Sequence, residues 1–170
     1  STGLLEVSGH NVMPSTHRTR GELRIGQAGV GTMIVSDGGF VDVVGDGAYI
    51  AGHSNAAGSS ATIDGTNSRF EVDGDLHVGG TSFGAGGAGT LTVRNGGAVE
   101  VGGTLHAWAP GTVELLGSSI TTHTLTGDWA GGATFTHEDG TLTVDGGTLD
   151  LPANGIYVPI SGAAAGDLPT

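Results

Sequence analysis

Between Gly89 and Ala107 apolar and polar residues alternate in three short runs, Thr-Leu-Thr-Val, Ala-Val-Glu-Val and Thr-Leu-His-Ala, separated by Asn-Gly-Gly and Gly-Gly. Period-two alternation broken by glycine predicts three short β-strands joined by tight corners. Leu91, Val93, Val99, Val101, Leu105 and Ala107 then face one side, and Thr90, Thr92, Glu100 and His106 the other. One such unit has too little apolar surface to form a core alone, and copies of it recur on both sides. First-strand starts fall at Gly3, Gly31, Ser60, Gly89, Gly111 and Gly140, mostly 28 or 29 residues apart with one interval of 22. Equivalent strands so far apart in sequence are not hairpin partners, so parallel pairing is predicted. The expected architecture is all-β: a right-handed parallel β-solenoid of about six rungs, each of three short strands. It forms one domain over residues 1–162, followed by a small-residue tail at 163–170.

The end units are less regular. In the first, Leu4, Leu5 and Val7 are read as the opening strand, Val12-Met13-Pro14 as a degenerate middle, and Ser15–Arg20 as a polar loop at a corner. In the sixth, Thr141-Leu-Thr-Val144 is read as the first strand, Leu149-Asp150-Leu151 as the middle and Ile156-Tyr157-Val158 as the third. Pro152 and Pro159 among these runs fit a terminal edge better than a central position.

Composition narrows the class. Thirty-five glycines and 5% aromatics among 170 residues make a thin core for an ordinary globule, yet the glycines recur at corners as a coil requires. With no cysteine, neither disulfides nor a thiolate metal site can form. The net charge of −12, with all five basic residues arginine, repels phosphate backbones and anionic lipid, so no nucleic-acid partner is expected. Membrane insertion is not expected either, since no run reaches the roughly 18 apolar residues of a spanning helix. The opening Ser-Thr-Gly suggests a processed product or a fragment.

The pattern G-T-L-T-V-x-N-G-G-x-V-x-V-G-G-T-L at 89–105, with partial copies at 31–43 and 140–151, resembles the repeat of bacterial autotransporter passengers and of exosortase-sorted, PEP-CTERM-associated surface proteins. That resemblance implies a β-solenoid that is secreted, extracellular or on the bacterial cell surface, with a structural, adhesive or stalk-like role. It brings no catalytic motif with it.

Outward residues form candidate columns. Asp42, Glu71, Glu100 and Asp150 would line the middle strands, where stacked carboxylates could attract calcium. The plainer reading is a solvated, aggregation-resisting face, and the GGxGxDx calcium repeat is missing. Arg24, Tyr49, His77, His106 and Tyr157 would line the third strands and suit a cell-surface glycan or a neighbouring subunit. His77 and His106 on adjacent rungs would bind a metal only if a third ligand converged; otherwise they make a pH-sensitive surface. Threonines 32, 90, 112 and 141 resemble an ice-binding file, although threonine is simply a good strand residue. The acids lie in single file on a convex face and no nucleophile–base motif emerges, so no enzyme is expected. No cofactor is expected apart from calcium.

The ends carry the main functional expectation. Leu4, Leu5 and Val7 at one end, and Leu149, Leu151, Ile156 and Val158 at the other, would be bare rungs without a capping helix. Open rungs pair with those of another copy, head to tail, and the contact propagates into a fibre or surface layer. The basic segment 15–20 could meet a neighbour's acidic face, and the tail could cross the junction. The alternative is an adhesin-like glycan-binding module, or part of a longer autotransporter passenger.

Overall fold

The computed structural model describes residues 2–9 and 15–152. Thirteen strands follow in chain order: β1 Thr2–Ser8, β2 Thr16–Ile25, β3 Val30–Ser36, β4 Phe40–Ile50, β5 Ser59–Asp64, β6 Arg69–Val72, β7 Asp75–Val78, β8 Gly80–Thr81, β9 Gly84–Ala85, β10 Gly89–Arg94, β11 Ala98–Ala107, β12 Thr112–Gly127 and β13 Thr134–Val144. A single 3-10 turn, Ser54–Ala56, interrupts them, and no α-helix occurs among the described residues. The protein is all-β. Every strand except the small antiparallel pair β8–β9 belongs to one eleven-stranded sheet whose pairings are all parallel.

The pairings fall into three files. The first runs β1, β3, β5, β10, then 112–116 of β12 and 134–138 of β13. The second runs 16–20 of β2, the first half of β4, β6, 98–101 of β11, 119–122 of β12 and 141–144 of β13. The third runs 22–25 of β2, 47–50 of β4, β7, 104–107 of β11 and 124–127 of β12, with a last bridge from Leu125 to Leu149. Strand β12 alone passes through all three files. Each tier of chain therefore adds one segment per file.

Alternation decides which side chains meet. Leu5, Met33, Ala61, Leu91, Val113 and Phe135 are in register in the first file. Val41, Phe70, Val99, Ile120 and Leu142 match in the second, and Leu23, Ala48, Leu76, Leu105, Leu125 and Leu149 in the third. All belong to one buried cluster or pack against it. Each large aliphatic side chain buried there contributes about 1.5–3 kcal/mol, which offsets the cost of ordering the narrow strands.

The corner at Asn95-Gly96-Gly97 shows why the sequence turns where it does. Asn95 and Gly96 take left-handed φ values of 55° and 85°, a region Asn tolerates and Gly enters freely. A Cβ on Gly97 would stand 2.7 Å from the Ile63 carbonyl oxygen, so only glycine lets the next tier close onto the one before. Serines fasten such corners: Ser68 Oγ donates to the Asp64 carbonyl at 2.7 Å and accepts from the Gly38 amide at 3.1 Å.

Three sequence readings change here. Ser15–Arg20 is not a corner loop: 16–20 is strand, paired with 40–44 of β4. The sixth tier begins at Thr134, in register with Thr112, and not at Gly140. Thr141–Val144 consequently lies in the second file and Leu149 in the third, one face later than expected. The physical reason is that the step from Thr112 to Thr134 spans 22 residues, as does the step from Thr92 to Glu114 before it, so the chain has already turned its first corner by Gly140. Val12–Pro14, Ile156, Tyr157, Val158 and the tail at 163–170 lie outside the described residues.

Candidate functional site

The third file turns an aromatic face outward. Parallel pairing sets Arg24 beside Tyr49, Tyr49 beside His77 and His77 beside His106. The Tyr49 and His77 rings stack with centroids 5.4 Å apart and planes within 7°. His106 follows at 6.0 Å, tilted by 50°, and Trp108 packs on His106 at 4.2 Å. At the other end the Arg24 guanidinium carbon lies 5.9 Å from the centre of the Tyr49 ring, within cation–π range. Thr126 continues the file after His106, and Asp150 follows it. Asp150 is thus a third-file residue and does not join the acidic column.

The imidazoles of this ladder are harder to protonate than a free histidine. Trp108 Nε1–H donates to His77 Nδ1 at 3.3 Å, and His106 Nδ1 shares a 2.6 Å hydrogen bond with the Thr126 hydroxyl. Burial pushes the pKa of His77 down; Asp75 opposes this and His106 adds to it. Burial likewise lowers that of His106, against Asp128 and Asp150. The Nε2 atoms of both rings are buried without a hydrogen-bond partner among the described residues. No third ligand joins the pair, and no group of three or more His, Cys, Asp or Glu able to hold a metal occurs among the described residues.

Beside the Arg24–Tyr49 end lies a pocket of about 220 Å3. Glu22, Arg24 and Gln27 come to it from the first tier, Tyr49 and His53 from the second, and Phe83 from the β8–β9 hairpin. Arg24 Nε donates to Glu22 Oε2 at 2.8 Å, and Tyr49 Oη reaches Glu22 Oε1 at 3.5 Å. Phe83 is 98% exposed. Of these residues the sequence columns included only Arg24 and Tyr49. A lone phenylalanine in the glycine-rich run Ser82–Gly87 is the signal that could have found the rest.

The second file carries the acids. Asp42, Glu71 and Glu100 stand in register, followed by Thr121 and Thr143. They have their own cations. Arg18, one tier above, donates through Nε to Asp42 at 2.6 Å, and Arg69 bridges Glu71 and Glu100. Burial raises the pKa of Glu71; Arg69 opposes this, while Glu100, Asp42 and Asp73 reinforce it. The candidate acidic column therefore lacks its fourth member, and its three carboxylates share two arginines.

At the first-tier end, β1 pairs with β3 along one edge only among the described residues. Val7 is buried, Leu5 half-buried and Leu4 66% exposed. A recess of about 360 Å3 opens there, with Leu5, Leu23, Ile25 and Val30 in its walls. At the other end Leu149 and Leu151 are half-buried against the core. On the outer first file Leu4, Thr32, Ser60, Thr90, Thr112 and Thr134 are in register, and Thr141 is elsewhere. No family model, no characterised protein and no solved structure matches the chain.

Proposed function

We propose that the three files are the faces of a right-handed β-solenoid, and that the protein is an extracellular bacterial structural subunit that associates end to end with copies of itself. The single observation that carries this reading is the outer edge of β1. Proteins ordinarily blunt an edge strand with charge, proline or a bulge, because its free amides and carbonyls recruit other strands. Here a regular seven-residue strand with neither proline nor bulge, and with Glu6 as its one charge, carries an exposed Leu4 beside a recess walled by Leu5 and Leu23, which pack against the core. Since every main-sheet pairing is parallel, the partner that fits this edge is the last tier of another copy in the same orientation. Such a contact is heterologous and propagates.

The autotransporter-like repeat at 89–105 supports a surface location for such a fibre. Negative-stain microscopy of the purified chain at rising concentration tests the proposal. Unbranched fibres one subunit wide are expected, and Leu4→Lys, which places charge at the junction, shortens or abolishes them. Monodisperse particles at high concentration would overturn it.

A further inference from the structure

We infer that the pocket between Tyr49 and Phe83 binds a single ring of a neutral saccharide. It is formed within one chain, from the first three tiers, and does not depend on the assembly proposed above. Two features set it apart from ordinary surface. Phe83 is almost wholly exposed at the tip of the Gly80–Thr81/Gly84–Ala85 hairpin, where its side chain contributes little to the core. Its backbone is nevertheless fixed, with the Phe83 amide donating to Thr81 Oγ1 at 3.2 Å. A hairpin that holds an aromatic ring in solvent on the wall of a pocket shared with Tyr49 leaves that ring free to receive an apolar face of a ligand.

The polar groups select the ligand. Glu22 and Arg24 are already paired, so the wall has no net charge to offer an ion, but it keeps carboxylate acceptors and guanidinium donors side by side. Adjacent hydroxyls on a sugar ring need that combination, since each hydroxyl both donates and accepts. Gln27 and His53 add further polar groups to the rim. The C–H face of a pyranose meets the exposed ring of Phe83, while Tyr49, its ring held between His77 and Arg24, closes the side of the pocket. An anionic ligand is disfavoured by the chain's net charge of −12. The volume, about 220 Å3, lies below the range of about 300–1,000 Å3 usual for drug-sized ligands and suits one ring.

Saturation-transfer NMR with glucose, galactose, mannose, N-acetylglucosamine, their methyl glycosides and glucuronic acid tests this. Transfer to the ring C–H protons of at least one neutral sugar is expected, with none to glucuronate. A methyl glycoside that binds as well as its free sugar identifies a site for the end of a glycan chain; one that fails identifies a site for free sugar. Phe83→Ala and Glu22→Gln should each weaken binding by up to about tenfold, the loss expected for one aromatic or charge-assisted contact. Circular dichroism should remain unchanged, and Leu4→Lys should bind normally. No transfer from any neutral sugar, preferential binding of glucuronate, or undiminished binding by Phe83→Ala would each overturn the inference.

Discussion

His77 and His106 are the residues whose chemistry most depends on their neighbours. Stacking with Tyr49 and Trp108 removes them from water, and both are harder to protonate in the folded protein than their usual value of 6.5. The unfolded chain therefore takes up protons first as pH falls through that value, and stability declines until the folded forms also protonate. Glu71 acts in the opposite sense at lower pH, because a carboxyl raised by burial is easier to protonate folded than unfolded. Thermal melts between about pH 7.5 and pH 5.5 should show a falling melting temperature, with a shallower slope in His106→Gln. Equal slopes in the two proteins would exclude the imidazoles as the cause. Arg69 poses a simpler test. Its removal by Arg69→Ala leaves Glu71 and Glu100 facing each other, and at 45% exposure the expected cost is about 0.2–1 kcal/mol. Glu71→Gln in the same background should recover most of it, as read by urea denaturation.

At the scale of the element, the corners set tier geometry more tightly than the strands do. Gly97→Ala forces a methyl group against the Ile63 carbonyl and should cost about 1–3 kcal/mol, whereas Gly3→Ala meets open space and should change stability by less than about 0.5 kcal/mol. Urea midpoints of the two variants provide the comparison, and similar values would mean that corner sterics do not govern the stacking. Corners were also where the sequence was most and least informative. Alternation around Leu91 and Val99 identifies strands because both tier neighbours bury those residues, which demands apolar side chains. The strand at 16–20 escapes detection because it lies at an end: His17 and Thr19 face inward yet stay only half-buried, and neither needs to be apolar. The face of Thr141–Val144 was misread for a different reason. All three strands of a tier obey the same two-residue rule, so a matching run does not say which side of the molecule it occupies. The pocket was hidden by topology, since Phe83 and His53 reach Arg24 through insertions at separate corners.

For the whole molecule, the consequence of tier-on-tier pairing is that each tier is supported only by its neighbours. Strands β5, β6, β7 and β10 have partners on both edges, and β1 has one among the described residues. In such an array stability is close to a sum of neighbour contacts, and opening begins at the ends. Hydrogen exchange should accordingly be slowest in the central strands and fast in β1 for dilute protein. Amides of β1 that point toward β3 differ from those on its other edge, because among the described residues only the former have a strand partner. If the proposed head-to-tail association occurs, raising the concentration closes that other edge with carbonyls from another copy. The outward amides of Thr2–Ser8 should then slow by at least the factor seen for inward ones, while β5 and β10 stay unchanged. Protection that rises uniformly along the chain would indicate global stabilisation without an edge contact, and protection that does not rise in β1 would remove the physical basis for the fibre.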